Sequence, residues 1–328
     1  MICEIEDKIF TLEPVDFEQL ALEVFQFQYN NNAIYQQYVN ALSIVGSSVR
    51  SIDQIPFLPI RFFKTADIKT TVFEPEAVFE SSGTTQTVNS RHYVKDLAIY
   101  QRSFLQAWEQ FYGPVQDWCV IGLLPAYLER QNSSLVVMVN EMIKLSGHAQ
   151  SGFYLYEHEK LAAVLQELER QGQKTLLIGV TFGLLDFAEQ FPMPLKHTIV
   201  METGGMKGRR REMTREEVHT ILSMAFKTPL IHSEYGMTEL LSQAYSYGHG
   251  LFDCPPWMKV LVRQDDDPLD VRVAGSGVIN IIDLANLYSC AFIATDDVGT
   301  VQADGSFEVL GRVDTSDIRG CNLLLAGI

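Results

Sequence analysis

Small and hydroxyl-bearing residues follow an apolar run in the first third of the chain. The segment from Ser81 to Thr87 comes directly after the strand-like run 77–80. Such a segment can present backbone N–H groups and hydroxyls to one anion, and Gly83 lets the backbone approach a phosphate closely. No Walker lysine follows. A phosphate-binding loop and an ordinary strand-exit turn both remain open, as do charged and surface roles for Arg91 and His92.

Two further segments also follow apolar strand-like runs. The glycine pair Gly204-Gly205 comes after the run 198–201, where backbone can pass close to a flat ligand or simply turn tightly. The other segment offers a ring for stacking at Tyr235, a hydroxyl at Thr238 and an oxygen ligand for Mg²⁺ at Glu239. A glutamate that opens a helix would instead interact with the helix dipole.

Acidic residues and an arginine form a last cluster, in the segments 294–299 and 311–314. A carboxylate at a strand end can accept both hydroxyls of a ribose, and a nearby arginine can bind the sugar or the phosphate. Surface turns are the alternative for Asp296 and Asp314. Because ligands bind outside the carboxyl ends of strands in open α/β sheets, the successive segments favour one shared nucleotide site.

The elements that must position these residues alternate between strand and helix. This alternation predicts an α/β fold with mainly parallel sheets covered by helices over residues 1–250. Residues 251–328 contain short, glycine-punctuated strand patterns, which predict a small antiparallel β subdomain. The predicted helices are 14–30, 34–44, 94–112, 132–146, 158–171 and 212–226, and the predicted strands before 250 are 77–80, 118–124, 175–180, 198–201 and 229–232. For residues 179–187 two predictions remain open: these residues line an acyl channel, or they pack in the core.

The composition of the chain indicates which kinds of partner and which cellular compartment to expect. The 328 residues carry a net charge of -16, which opposes binding to nucleic acid. Five cysteines without a C-x-x-C spacing indicate reduced thiols rather than disulfides or a zinc site. The N-terminus lacks the positive charge of a signal peptide, and no apolar run reaches the length of a membrane span. We therefore expect a cytoplasmic protein.

Taken in order, these motifs resemble the adenylate-forming superfamily of acyl-CoA synthetases, luciferases and peptide synthetases. The motifs are Ser-Ser-Gly-Thr-Thr, Tyr-Gly-Met-Thr-Glu, Thr-Asp-Asp and Gly-Arg-Val-Asp. Within the superfamily the sequence is most similar to the acyl-protein synthetases of the LuxE type. That likeness spans about residues 50–325 and is concentrated in the segments 62–64, 81–92, 202–209 and 319–321.

The resemblance implies a function, its cofactors and a role for each motif. An acid would be activated with ATP and Mg²⁺ as an acyl-adenylate, and the acyl group would pass to a cysteine or a partner protein, such as a reductase. The implied contacts are Ser81, Ser82, Gly83, Thr84 and Thr85 with the phosphates, Gly204 and Gly205 with adenine, Tyr235 stacked on adenine, Thr238 with the α-phosphate, Glu239 with Mg²⁺, and Asp297 with the ribose, assisted by Arg312.

The sequence also departs from the superfamily pattern. Gln86 and Asn89 make the phosphate loop less cationic, and Asp296 replaces a glycine beside the ribose aspartate. The sequence ends fourteen residues after Asp314, so the resemblance predicts that the mobile C-terminal domain and its catalytic lysine are absent.

Cys321 matches the cysteine that accepts the acyl group in the LuxE type. A thiol near Arg319 and Arg312 would ionise below the usual pKa of about 8.5 and attack an activated carbonyl. The alternative is an inert apolar tail. Two other functions also remain open: a ligase that delivers to coenzyme A or a carrier protein, and a non-catalytic partner that binds nucleotide or acyl groups.

Overall fold

The computed structural model describes residues 2–81, 88–124, 132–204 and 213–313. The helices in these ranges are α1 (Ile2–Phe10), α2 (Phe17–Asn31), α3 (Ala33–Ala41), α4 (Phe62–Thr65), α5 (Leu97–Tyr112), α6 (Ser134–Ser146), α7 (His158–Gln171), α8 (Thr181–Gln190) and α9 (Arg215–Phe226). Within the same ranges, no helix is both long and apolar enough to cross a bilayer.

The strands are β1 (Leu58–Pro59), β2 (Ala77–Glu80), β3 (Arg91–Val94), β4 (Cys119–Leu123), β5 (Gly152–Phe153), β6 (Thr175–Gly179), β7 (Thr198–Glu202), β8 (His232–Tyr235), β9 (Ala244–Ser246), β10 (Leu251–Phe252), β11 (Met258–Arg263), β12 (Val271–Arg272), β13 (Gly275–Asp283), β14 (Phe292–Val301) and β15 (Phe307–Arg312). The strands β2 and β3 pair as an antiparallel hairpin.

A six-stranded sheet has the order β5-β4-β6-β7-β8-β9, and every pair except β8–β9 is parallel. Its central strands β4 and β6 are buried along their whole length. Alternate side chains of β4 enter different cores: Val120 packs in the cluster that contains α5 and α6, whereas Cys119, Ile121 and Leu123 pack with α7, α8 and α9. Both faces are thus covered, as expected for a parallel sheet.

The second sheet runs β10-β15-β14-β13-β11-β12 and is antiparallel, as predicted for the C-terminal part. Its strand β14 also pairs in parallel with β1, which comes from the first part of the chain. The N-terminal helices are tied to it too, because the buried Gln28 donates to the carbonyls of Asn286 and Leu287 at 2.9 and 3.0 Å. The division at residue 250 stays a prediction.

Several predicted elements differ from the observed ones. Residues 181–190 form the helix α8, where the sequence predicted only a strand exit. The acidic cluster 294–299 lies inside the ten-residue strand β14, not at a strand end, and a register shift between Val298 and Gly299 interrupts its pairing with β15. The strand predicted at 229–232 lies instead at His232–Tyr235.

Candidate active site

A cleft of about 460 Å³ opens where the carboxyl ends of β7 and β8 meet the antiparallel sheet. That volume lies within the range of roughly 300–1,000 Å³ for small-molecule sites. The residues that line it come from separate parts of the chain. They fall within 60–64, at 80, 81, 90 and 100, within 133–138, at 203 and 204, within 234–243, and at 296, 297 and 312.

One wall of the cleft holds a buried carboxylate between a phenol and a guanidinium. Asp297 accepts from the Tyr235 hydroxyl at 2.7 Å and from Arg312 Nε at 2.8 Å, through different oxygens. Asp297 and Arg312 are direct partners in the pairing of β14 with β15. Burial and then the charge of Asp297 raise the pKa of Tyr235 well above its usual range, so this phenol remains a donor. Each carboxylate oxygen keeps a lone pair for a further donor.

The turn after β8 carries Thr238 and Glu239 into the cleft, and the backbone of this turn is fixed by two buried side chains. The Thr238 carbonyl accepts from His92 Nδ1 at 2.8 Å, and the Glu239 carbonyl accepts from the amide of Asn286 at 2.8 Å. Glu239 is 6% exposed. Burial raises the pKa of its carboxyl, against the opposing effects of a hydrogen bond from Ser90 and nearby cations. No helix begins at Glu239, so the helix-dipole interpretation was wrong.

His92 does not supply positive charge to the site. Its side chain is 1% exposed, and burial lowers its pKa to about 4. Because a carbonyl can only accept, the Nδ1 atom carries the proton of the neutral ring. Arg91 is paired with Asp67 at 3.2 Å. Within the described ranges, the cations that line the cleft are instead Arg61 and Lys64, together with Arg312.

A buried cluster around Glu202 sets the start of the glycine-containing loop. The carboxylate of Glu202 accepts from the Gly204 N–H at 2.9 Å and from the Ser233 hydroxyl at 2.9 Å. Burial by itself would raise the pKa of Glu202, but the hydrogen bond from His219 and the charge of Arg215 bring it down to about 2. Gly204 has φ +61°, a left-handed conformation that glycine adopts readily. We call these five residues the Glu202 cluster.

Comparison with known proteins identifies the family. A model of the family described as acyl-protein synthetase, LuxE, matches residues 3–327. The chain belongs to this family.

Two curated relatives have the same name, long-chain-fatty-acid–luciferin-component ligase. The protein from Aliivibrio fischeri is 23% identical over 360 aligned residues, which cover 99% of this chain and 94% of the relative. The protein from Vibrio harveyi is 22% identical over 365 aligned residues, which cover 98% of this chain and 93% of the relative. The predicted LuxE family and the predicted class of enzyme, an acyl-protein synthetase, are thereby confirmed. The predicted function, ATP-dependent activation of a fatty acid followed by acyl transfer, agrees with this family.

Solved structures confirm the fold class of this LuxE-family chain. ATP-bound MatB from Rhodopseudomonas palustris aligns with a TM-score of 0.55 at 14% identity, over 74% of this chain. Apo MatB from the same organism gives a TM-score of 0.51 at 14% identity, over 72% of this chain. The chain spans about half the length of these two structures, with 50% and 47% of them covered.

The predicted site residues of the LuxE-family chain fall into three groups. Those that line the cleft are Ser81, Gly204, Thr238, Glu239, Asp297 and Arg312. Tyr235 reaches the same wall through Asp297, and its ring packs against Phe307 and Phe252, with centroids 5.5 and 5.9 Å away. The remaining predicted residues lie outside the described ranges: Ser82, Gly83, Thr84, Thr85, Gly205 and Cys321.

Residues 179–187 do not line the cleft, and core packing is the correct alternative for them. Leu184, Leu185 and Phe187 are buried against α7 and α9. Among the described residues, the apolar lining of the cleft comes instead from Leu135 and Met138 on α6, together with Ile60 and Met237.

Sequence reasoning also missed polar residues of the cleft. Lys64 belongs to the segment 62–64 that supported the resemblance, although no role was predicted for it, and Arg61 comes directly before that segment. Glu234 and Gln243 lie near the Tyr235–Glu239 motif and line the cleft as well. Their burial depends on strand pairing, which local sequence does not reveal.

Proposed function

We propose that this chain forms an acyl-adenylate in the cleft and then transfers the acyl group to a thiol. A carboxylate oxygen of the acid attacks the α-phosphorus of ATP, the new P–O bond forms, and pyrophosphate leaves. The thiolate of Cys321, or a thiol of a partner protein, then attacks the acyl carbonyl. A thioester forms and AMP leaves.

The observation that carries this proposal is the shared cleft. Thr238, Glu239 and Asp297 come from distant parts of the sequence and line the same volume. Adenylation requires in-line placement and neutralised charge more than proton transfer. A cleft that combines a buried carboxylate acceptor, a hydroxyl and cationic side chains meets those requirements.

The roles of the individual side chains follow from their contacts. Asp297 is fixed by Tyr235 and Arg312 and keeps acceptor capacity for ribose hydroxyls. Because Arg312 is already paired with Asp297, we assign phosphate neutralisation mainly to Arg61 and Lys64. These cations act locally against the overall charge of -16.

The residues present also fit Mg²⁺. In phosphate-transfer sites this ion is usually bound by one or two carboxylates together with substrate phosphates, and Glu239 offers one such carboxylate. Across the described ranges no group of three or more His, Cys, Asp or Glu side chains could hold a metal ion. When bound, Mg²⁺ would neutralise phosphate charge.

The names of the relatives add a proposal about the acid and the acceptor. Both are called ligases of a long-chain fatty acid and a luciferin component. We extend this to a fatty acid substrate and an acyl-accepting partner, with a reductase as the candidate.

Acid-dependent exchange of labelled pyrophosphate into ATP tests the first step. Glu239→Gln and Asp297→Asn should each lower exchange by roughly a hundredfold, because each removes a charge that positions or neutralises the nucleotide. Exchange that is absent with every acid, or that does not depend on acid, would refute adenylation.

The second step is tested with labelled acid and Cys321→Ser. We expect this variant to retain exchange while labelled acyl no longer attaches to the protein. Cys119→Ser is the matched control, because burial raises the pKa of the Cys119 thiol to about 11 and Ser151 already hydrogen-bonds there. Label that persists in Cys321→Ser places the acceptor elsewhere, and acyl-coenzyme A formed by an unlabelled protein supports the alternative ligase.

A further inference from the structure

Part of the cleft is lined by buried polar side chains that have no role in the proposed binding of the nucleotide. Glu234 and Gln243 line the cleft and are 8% and 4% exposed. Near them, the Tyr100 hydroxyl donates to the Ser134 carbonyl at 3.0 Å and connects α5 to the first turn of α6. The apolar side chains of Leu135 and Met138 line the cleft from the same helix.

Strand pairing brings these polar groups together. Glu234 is the direct partner of Tyr245 in the antiparallel pair β8–β9. Gln243 lies beside Glu234, because a methyl group at Gly236 would meet both a Glu234 carboxyl oxygen and Gln243 Cγ. Electrostatic effects also show that these groups are close. Burial is the main cause of the raised pKa of Tyr100 and of Tyr245, and the charge of Glu234 is the second cause for both. We call Tyr100, Glu234, Gln243 and Tyr245 the polar cluster.

Hydrogen-bond acceptors of the polar cluster are left without partners. The side chain of Gln243 belongs to the lining of the cleft and is almost fully buried. Its Oε1 has no hydrogen-bond partner among the described residues, and the same holds for the buried Tyr245 hydroxyl. A buried polar atom without a partner is costly, so the unpaired Oε1 of Gln243, which lines the cleft, indicates a ligand group, whereas Tyr245 is not among the lining residues.

Glu234 adds a further acceptor. One carboxyl oxygen accepts from the Thr203 hydroxyl at 2.7 Å, and the other lies against Gly236. Burial raises the pKa of Glu234 to about 7, so its charge responds readily to what binds beside it. Gln243 Oε1 and the Glu234 carboxyl therefore offer acceptors beside the cleft.

We infer that the polar cluster recognises a hydrogen-bond-donating substituent on the acid, so that the preferred substrate is a hydroxy or amino acid derivative of a fatty acid rather than a plain alkyl acid. This inference rests on the proposed adenylation. Leu135 and Met138 contact the hydrocarbon part, and the Gln243 and Glu234 oxygens accept from the substituent. A plain alkyl acid leaves those acceptors unpaired.

The test is pyrophosphate exchange by the full chain with matched acids of equal length: unsubstituted, 2-hydroxy, 3-hydroxy, 2-amino and 3-amino. We expect at least one substituted acid to exceed its unsubstituted match in kcat/KM by roughly ten- to a hundredfold. Gln243→Leu should erase most of this preference, partly by improving the unsubstituted acid. Gln37→Leu, which replaces an exposed glutamine of α3 outside the cleft, should leave the preference unchanged.

Glu234→Gln distinguishes the two substituents. An amino group would pair with the ionised carboxyl, so this variant should lose a preference for the amino acid, whereas a preference for the hydroxy acid should largely survive. Equal rates with substituted and unsubstituted acids in the wild type, or a preference unchanged in Gln243→Leu, overturn the inference alone. Failure of every acid to drive exchange overturns the proposed adenylation as well.

Discussion

Replacing His92 should make the protein less sensitive to mild acid. The imidazole is 1% exposed and donates to the Thr238 carbonyl at 2.8 Å, and the pKa of this ring is lowered by burial to about 4. The unfolded chain binds a proton at the ordinary pKa of about 6.5. Between these two values the unfolded state holds more protons, so the free energy of unfolding falls as the pH falls.

The size of this effect follows from the two pKa values. At pH 7 both states are mostly neutral at His92, and the contribution is close to zero. At pH 5 the unfolded histidine is almost fully protonated while the folded one is not. Proton linkage then gives a loss of about 2 kcal/mol between pH 7 and pH 5. His92→Asn removes this titration and retains an amide donor for the Thr238 carbonyl.

The measurement is urea unfolding of the wild type and of His92→Asn at pH 7 and pH 5. The variant should lose about 2 kcal/mol less than the wild type over this interval, because the other titrating groups are common to both proteins. The same substitution at the exposed His197 is the control. Identical pH dependence in the wild type and His92→Asn would refute the buried, neutral state of this histidine.

Activity provides a second measurement on the same loop. His92→Phe leaves the Thr238 carbonyl without its donor, which should cost about 1–3 kcal/mol of stability. It should also lower pyrophosphate exchange by roughly ten- to a hundredfold, because Thr238 and Glu239 shift in the cleft. Unchanged exchange in His92→Phe would show that this hydrogen bond does not position the turn.

Other substitutions test the remaining contacts of the cleft. Tyr235→Phe removes the hydroxyl that donates to Asp297 and should raise the KM for ATP by roughly tenfold with little change in stability, as measured by exchange at varied ATP. Glu202→Gln should lower the free energy of unfolding by about 3 kcal/mol in urea titrations, because Arg215 loses its buried ionic partner. Gly236→Ala should weaken exchange at unchanged thermal stability, since a new Cβ would collide with a Glu234 carboxyl oxygen, and the flexible end of this side chain, which lines the cleft, would be displaced. Wild-type exchange in this variant would contradict the close packing.

The parallel sheet could be predicted because its strands carry their own signal. β4 and β6 are five-residue strands that are almost entirely apolar or small, with Thr175 as the one hydroxyl residue, and helical patterns separate them. Strands that are buried on both faces typically have such nearly continuous apolar sequences, and parallel strands bring their carboxyl ends to one edge of the sheet. For the same reason, the motifs at Gly204 and Thr238 could be assigned to a common site before any geometry was known.

The acidic cluster of β14 was harder to place. Asp296 and Asp297 interrupt an apolar run, and that interruption resembled a turn. In the structure Asp296 is exposed whereas Asp297 is buried, since successive residues of a strand point to opposite faces. The strand continues through the charges because β13 and β15 supply hydrogen-bond partners on either side. Those partners are distant in sequence.

The helix α8 was missed for a related reason. Its sequence is apolar on nearly every side, and most of its residues are buried. A segment that lacks a polar face shows no helical periodicity, so it cannot be distinguished from a buried strand exit by pattern alone. The polar cluster also depended on pairing, because only the register of β8 with β9 shows that Glu234 faces Tyr245.

The two halves of the proposed nucleotide site share one strand. β14 carries Asp297, and the same strand pairs with β1 through Leu58 opposite Ile293, after which the Ile60 N–H donates to the Ala294 carbonyl at 2.9 Å. Arg61 follows directly, with Lys64 in the next helical turn. The spacing between the carboxylate that we propose for ribose binding and the cations that we propose for phosphate binding is therefore set by backbone pairing rather than by flexible side chains. A net negative protein can bind a polyanion only if its few cations are held at the correct distance, and the β1–β14 contact supplies that constraint.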